Sequence, residues 1–169
     1  MSDASLKQLV FMRHGDPDRP ALATQQIQSS ALQIMQYVGR ADAVLHSHFT
    51  RTTFAAEALR DCFKTPPSVL ETRDWLGPGQ QSDALSGLRA LNDEWNAVCL
   101  VTHSNVGPKI VRALAPENYN PCILMSFAGF AVFDVNVPKW SDLKLGAGHF
   151  NLICMDETAA LFKGTSPEP

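Results

Sequence analysis

Residues 9–20 read LVFMRHGDPDRP: an apolar run that stops on an arginine and a histidine, followed at once by glycine and two prolines. The run is shorter than a typical helix, and the prolines keep a strand from continuing, so it predicts a buried strand with an enforced end. Such a strand delivers Arg13 and His14 to the edge of a sheet. With its flanks the predicted strand covers residues 6–13. Three similar runs, 42–47, 68–72 and 97–103, read as further strands. Two of these end on Ser47 and His103.

Helical patterns lie between the strands. Ile27, Ala31, Ile34, Met35 and Val38 follow the three/four spacing of one helix face, with Thr24 as the expected N-cap. Phe54, Ala55, Ala58, Leu59 and Cys62 repeat that period, as do Ala84, Leu85, Leu88 and Leu91, then Val106, Ile110, Val111 and Leu114. Alternating strands and helices predict an α/β fold, a three-layer sandwich with a mostly parallel central sheet and helices on both faces. After Pro121 the rhythm changes. Residues 127–135 and 143–155 read as an additional C-terminal strand pair joined through NVPKWSD. Phe127, Phe130 and Phe133, three apart on that strand, cannot share a face and read as core filling on both. Residues 160–169 are expected to be a frayed tail, and no repeat or linker divides the chain, so residues 1–169 read as a single domain.

At 169 residues the chain can bury about 70% of the surface its unfolded form would expose. With 45% apolar and 18% charged residues it fits neither a disordered nor a membrane class, and no run approaches the roughly 20 apolar residues of a membrane span. Fourteen Lys plus Arg against 17 Asp plus Glu, a net charge of −3, call for neither nucleic acid nor an anionic membrane as partner. No export signal is read at the N-terminus, so the expected location is the cytoplasm. Cys62, Cys99, Cys122 and Cys154 sit scattered in apolar stretches without a C-x-x-C pair and read as reduced core thiols.

On a parallel sheet, functional residues gather at strand C-termini. Arg13, His14, Ser47 and His103 all end strands, and Arg51, in the first turn of the helix after Ser47, can swing over the same edge. Two arginines and two histidines near helix N-termini suit a phosphoryl group: the guanidinium fork matches its oxygens, and a neutral imidazole exposes a lone pair for attack. Gly15 allows a close backbone approach. His46 and His48 with His14 and Asp16 do not read as a metal site, because strand alternation separates His46 and His48 from Ser47 and the arginines repel a cation. His149 reads as packing or surface.

The triplet Arg13, His14, Gly15, the stretch SHFTRTTFAAEAL holding Ser47 and Arg51, and His103 in CLVTHSNVG together resemble the motifs of the histidine phosphatase superfamily. The shortness of the chain is most similar to the small phosphohistidine phosphatases of the SixA type. That resemblance implies His14 as phosphorylated nucleophile, Arg13, Arg51 and His103 as phosphoryl ligands with Gly15 and Ser47 beside them, and neither metal nor cofactor. Many members carry a glutamate after the third strand as general acid; here Asp74 stands nearest that position, with Glu71 and Asp83 as fallbacks. Where relatives commonly have proline, this chain has His48.

An alkoxide leaving group needs a proton as its bond breaks, whereas imidazole, with a conjugate-acid pKa of about 6.5, needs far less help. Little chain lies between Arg51 and Asp74 from which to build a lid, and an open pocket suits a phosphorylated side chain presented by another protein. The expected function is therefore a phosphatase acting on phosphohistidine in a partner such as a histidine-containing phosphotransfer domain. A small-molecule phosphomonoesterase and a non-catalytic phosphate-binding protein are the alternatives, with a mutase last.

Overall fold

The structure, a computed structural model, describes residues 6–115, 126–146 and 148–151. Six strands form one sheet: β1 (Lys7–Arg13), β2 (Ala43–His46), β3 (Val69–Thr72), β4 (Ala97–Thr102), β5 (Phe130–Val135) and β6 (Gly148–Asn151). Their spatial order is β3-β2-β4-β1-β5-β6. The first four are parallel neighbours, while β5 runs antiparallel to β1 and β6 antiparallel to β5. This is the expected mostly parallel sheet with an added C-terminal pair. Parallel ladders require crossovers, and α1 (Pro20–Tyr37), α2 (Thr50–Cys62), α3 (Ala84–Arg89) and α4 (Gly107–Leu114) lie between the strands they connect.

Strand alternation divides the core in two. Leu9 and Phe11 of β1, Leu45 of β2, and Val98 and Leu100 of β4 join Leu88 of α3 and Ile110 and Leu114 of α4 on one face. Val10, Met12, Val44, Cys99 and Val101 face the other way, onto Ile27, Ala31 and Ile34 of α1 and Ala55 and Leu59 of α2. Phe130 and Phe133 go to opposite faces, as their spacing requires. At the far end of β1, fully buried Lys7 donates to the carbonyls of Asp93 and Trp95, both at 2.9 Å, and lies over the Trp140 ring. Its apolar stem and satisfied ammonium seal the bottom of the sheet.

Four local expectations need correction. Helix α1 begins at Pro20 rather than after Thr24: proline at N1 has its φ already set for a helix, and the Thr24 hydroxyl donates back to the Pro20 carbonyl at 3.1 Å. Helix α2 buries Thr52, Ala55, Ala56 and Leu59, leaving Phe54 39% exposed, because the helix is rotated toward its small residues where it meets β2 and α1. Strand β5 starts at Phe130, since Ala128 takes a positive φ of 57° and turns the chain. The connection to β6 contains a helical turn, Trp140–Asp142, so β6 begins only at Gly148. Cys62 and Cys99 are free thiols. Cys122, Cys154, residues 152–169 and the His149 side chain fall outside the described set.

Gly87 of α3 has no room for a side chain, because a Cβ there would overlap the indole of Trp75 in the core. Overpacking costs about 1–3 kcal/mol, and better helix propensity returns about 1 kcal/mol at most. Gly87→Ala should therefore lower the melting temperature by a few degrees, roughly 2–4 °C per kcal/mol at this size, as calorimetry would register.

Candidate active site

Because β4 lies between β1 and β2, the ends of these three strands are adjacent. The Arg13–Thr102 and His46–Val101 pairs close the ladders, so His14, Ser47 and His103 follow within a residue of the last rungs. The His14 backbone is held on both sides: its N–H donates to the Thr102 carbonyl at 3.2 Å and its carbonyl accepts from the Ala128 N–H at 3.0 Å. The ring is 5% exposed, with Nδ1 2.7 Å from the Gly15 carbonyl. A carbonyl only accepts, so Nδ1 carries the proton and Nε2 carries the lone pair of the neutral ring. Burial lowers the His14 pKa, the Gly15 bond opposes this, and Arg13 and Arg51 lower it further. The ring is held in the form that can attack.

Gly15 serves a different contact from the one expected. A Cβ at this position would stand 2.7 Å from the Ala23 Cβ and 2.8 Å from its Cα. The close approach is to helix α1. The loop between them is closed by Asp16, whose carboxylate accepts from the Asp18 N–H at 3.0 Å and from Arg19 at 2.8 and 2.7 Å. Burial pushes the Asp16 carboxyl up, but these bonds outweigh it and hold it below the usual range.

His103, 3% exposed, sits edge-on to His14 with ring centroids 5.5 Å apart. Its Nε2 is 2.8 Å from the Ser47 hydroxyl, and its Nδ1 is 3.3 Å from Arg51 Nη2. Burial first, then the neighbouring Arg51, His14, Arg13 and His48, push its pKa down to about 4. The Arg13 guanidinium stacks on Phe127 at 4.1 Å, and that of Arg51 on Phe49 at 4.8 Å. Burial and the neighbouring Arg51 lower the Arg13 pKa despite Asp16. Arg51 Nε is buried without a hydrogen-bond partner among the described residues. A pocket that crowds this much positive charge is prepared for an anion.

Arg13, His14, Gly15, Ser47, Arg51 and His103 thus converge as the sequence suggests. Phe127, Phe49 and Thr52 join them without any site role expected from the sequence. Phe127, expected to fill the core, instead packs on Arg13 and stands 6.0 Å from the His14 ring, because the Ala128 turn swings it to the sheet edge. No periodicity marks such a residue. His48 is exposed and stacks on Phe49 at 4.5 Å, shaping the loop.

Exposed Asp74 begins a helical turn, Asp74–Leu76, whose Trp75 and Leu76 are buried and which is tied to the site edge by the Arg73 N–H on the His46 carbonyl (2.7 Å) and the Thr102 hydroxyl on the Leu76 carbonyl (2.8 Å). Glu71 is paired with Arg73 at 2.6 Å, and exposed Asp83 precedes α3. Beside Gly15 and Arg51 opens a cavity of about 400 Å³, walled by Pro17, Pro20, Phe49 and Phe54. His46 donates to the Ser47 carbonyl at 2.7 Å, and among the described residues no group of three or more His, Cys, Asp or Glu could hold a metal ion. No helix among those residues is long and apolar enough to cross a membrane.

No family model and no curated protein matches the chain. Solved structures do. The chain is similar to the protein histidine phosphatase SixA complexed with tungstate, at 22% identity over 90% of this chain and 99% of that one, with a TM-score of 0.70. The SixA-type chain of Nakamurella multipartitia matches at 20% identity over 87% and 94%, TM-score 0.68. A mycobacterial glucosyl-3-phosphoglycerate phosphatase complexed with VO3 matches at 15% over 87% and 98%, TM-score 0.63. The chain has the histidine-phosphatase fold. It also has the compact build of the SixA structures, spanning nearly all of their length.

The depressed histidines carry a stability cost in acid. In the unfolded chain His103 titrates near 6.5; in the folded chain it titrates at about 4. Its contribution is fully present above 6.5 and is lost as pH falls toward 4. The melting temperature of the wild type should fall over that window, and His103→Asn should flatten the fall.

Proposed function

We propose that the chain is a phosphatase that works without metal through a phosphohistidine intermediate on His14, and that it discharges phosphohistidine on a partner protein such as a histidine-containing phosphotransfer domain. One observation carries this reading: the unprotonated Nε2 of His14 shares a buried corner with His103 and two guanidiniums. His14 Nε2 attacks phosphorus in line with the leaving group, and the bond from phosphorus to the partner's imidazole nitrogen breaks. That nitrogen keeps the electron pair and takes a proton, for which Asp74 is the candidate donor. Water then attacks the phosphorus, the His14 nitrogen leaves, and inorganic phosphate is released. Arg13 and Arg51 neutralise the oxygens throughout, so the charge a metal supplies elsewhere comes from side chains. Gly15 and Ser47 complete the surroundings of the phosphoryl group.

The cavity supports a protein substrate over a sugar. Two prolines and two phenylalanines form its apolar walls, and Asp16, the only carboxylate among its described lining residues, is engaged by Arg19, which leaves Thr50 and Arg51 as the side chains able to bind the several hydroxyls of a sugar. An apolar side chain beside the phosphohistidine fits it better. A small phosphomonoester with an aromatic body is the second reading, supported by the size of the same cavity.

With chelator present, brief exposure to labelled phosphoramidate should leave acid-labile, base-stable label on wild type and none on His14→Ala. Loss of Arg51 should slow labelling by about 10²–10³-fold, the usual effect of removing one preorganised donor. Asp74→Asn should cost less than about tenfold on a phosphorylated photransfer-type substrate and more on alkyl phosphomonoesters, since imidazole departs with little acid assistance. Wild type that hydrolyses substrate yet never takes up label would overturn the mechanism. Faster turnover of aryl phosphates than of a phosphorylated phosphotransfer domain would favour the second reading.

A further inference from the structure

We propose that Thr52 is a positioning residue: acting through Ser47, it fixes which nitrogen of His103 carries the proton, so that His103 can bond a phosphoryl oxygen only as an imidazolium. The proposal rests on the phosphoryl-binding reading of the site.

The fully buried Thr52 hydroxyl lies 2.7 Å from Ser47 Oγ, 2.8 Å from the Phe49 carbonyl and 3.0 Å from the Ser47 carbonyl. Ser47 Oγ in turn lies 2.8 Å from His103 Nε2, and Arg51 stands 3.3 Å from Nδ1 at the other side of the ring. Both ends of this chain have a fixed sense. A guanidinium only donates, so Nδ1 facing Arg51 must be an acceptor; a carbonyl only accepts, so the Thr52 proton points at a carbonyl. The middle follows from the ends. His103 Nε2–H donates to Ser47, and Ser47 donates to the Thr52 oxygen. The opposite sense would turn Nδ1–H toward the N–H of Arg51 and leave the carbonyls beside Thr52 without its proton.

The consequence concerns the nitrogen that faces Arg51. Nδ1 bears a lone pair in the neutral ring, so donating from it to an anionic oxygen requires a second proton. Arg51 from α2, His14 and Arg13 from the end of β1, and His48 from the loop after β2 all oppose that proton. A bound dianion would offset them. Binding of a phosphoryl-like anion is therefore coupled to proton uptake at His103. Without the Thr52 oxygen, Ser47 is free to donate to Nε2, and a neutral Nδ1–H ring becomes available.

The test uses the whole chain with nitrogen-labelled histidine and sulfate as probe, because sulfate stays a dianion between pH 6 and 8. Nitrogen NMR at pH 7.5 should find His103 as the Nε2–H tautomer in wild type and in Thr52→Ser, and shifted toward Nδ1–H in Thr52→Val. From pH 6 to 8, sulfate affinity of wild type and Thr52→Ser should fall more steeply than that of Thr52→Val, by up to about tenfold per pH unit for one coupled proton. His14 and His48 are present in every variant, so what they add to the slope cancels in the comparison. A wild-type Nδ1–H ring overturns the proposal, even if Thr52→Val does not fold. So does a Thr52→Val protein with unchanged tautomer and slope. Neither readout needs turnover: a chain that behaves as expected but hydrolyses nothing defeats the phosphatase reading alone. Failure to bind sulfate defeats the phosphoryl cradle, and the tautomer still reports on Thr52.

Discussion

Two guanidiniums and two imidazoles share a corner from which water is largely excluded, and Asp16, the carboxylate that acts on Arg13, already carries Arg19. Left to themselves these groups would move apart. They stay together because each hangs from backbone that has no freedom to retreat: the β1/β4 and β2/β4 ladders hold His14, Ser47 and His103, and the first turn of α2 holds Arg51. Burial first, and the neighbouring charges after it, lower the pKa values of Arg13, His14 and His103. Such stored repulsion is relieved by an anion and by little else, which makes the corner selective before any substrate body is considered.

The rest of the fold serves that corner. A β4 strand buried on both faces joins β1 and β2 rigidly, and Lys7 closes the opposite end of β1. Aromatic faces then do what carboxylates could not. Phe127 and Phe49 steady the arginines through their rings without neutralising them, so the positive charge remains for the ligand.

The first four strands and their parallel arrangement were legible in outline from residues 6–13, 42–47, 68–72 and 97–103, because short apolar runs with abrupt ends leave few alternatives, whereas their spatial order was not read from the sequence. The four polar residues at those ends and Arg51 were legible for the same reason. Phe127 was not: its role follows from the left-handed turn at Ala128, an alanine that carries no turn signal. Thr52 was hidden as well, since a threonine in a first helical turn looks like helix-end chemistry until its hydroxyl is seen beside Ser47. The rotation of α2 that exposes Phe54 depended on the fit of small residues against β2 and α1, which a three/four period does not encode.

The contact between Gly15 and Ala23 reaches beyond this chain's own chemistry. A methyl group at position 15 would crowd not only the Ala23 side chain but its Cα at 2.8 Å and its carbonyl oxygen at 3.1 Å. Trimming position 23 to glycine would therefore not make room, so no compensating exchange at that site opens an evolutionary route away from glycine. Only a shift of the whole of α1 would do so, and it would drag Ile27, Ala31 and Ile34 out of their seats against the sheet. The residue after the nucleophile is thus held by the main chain of a helix, and drift at that position is closed by geometry rather than by chemistry.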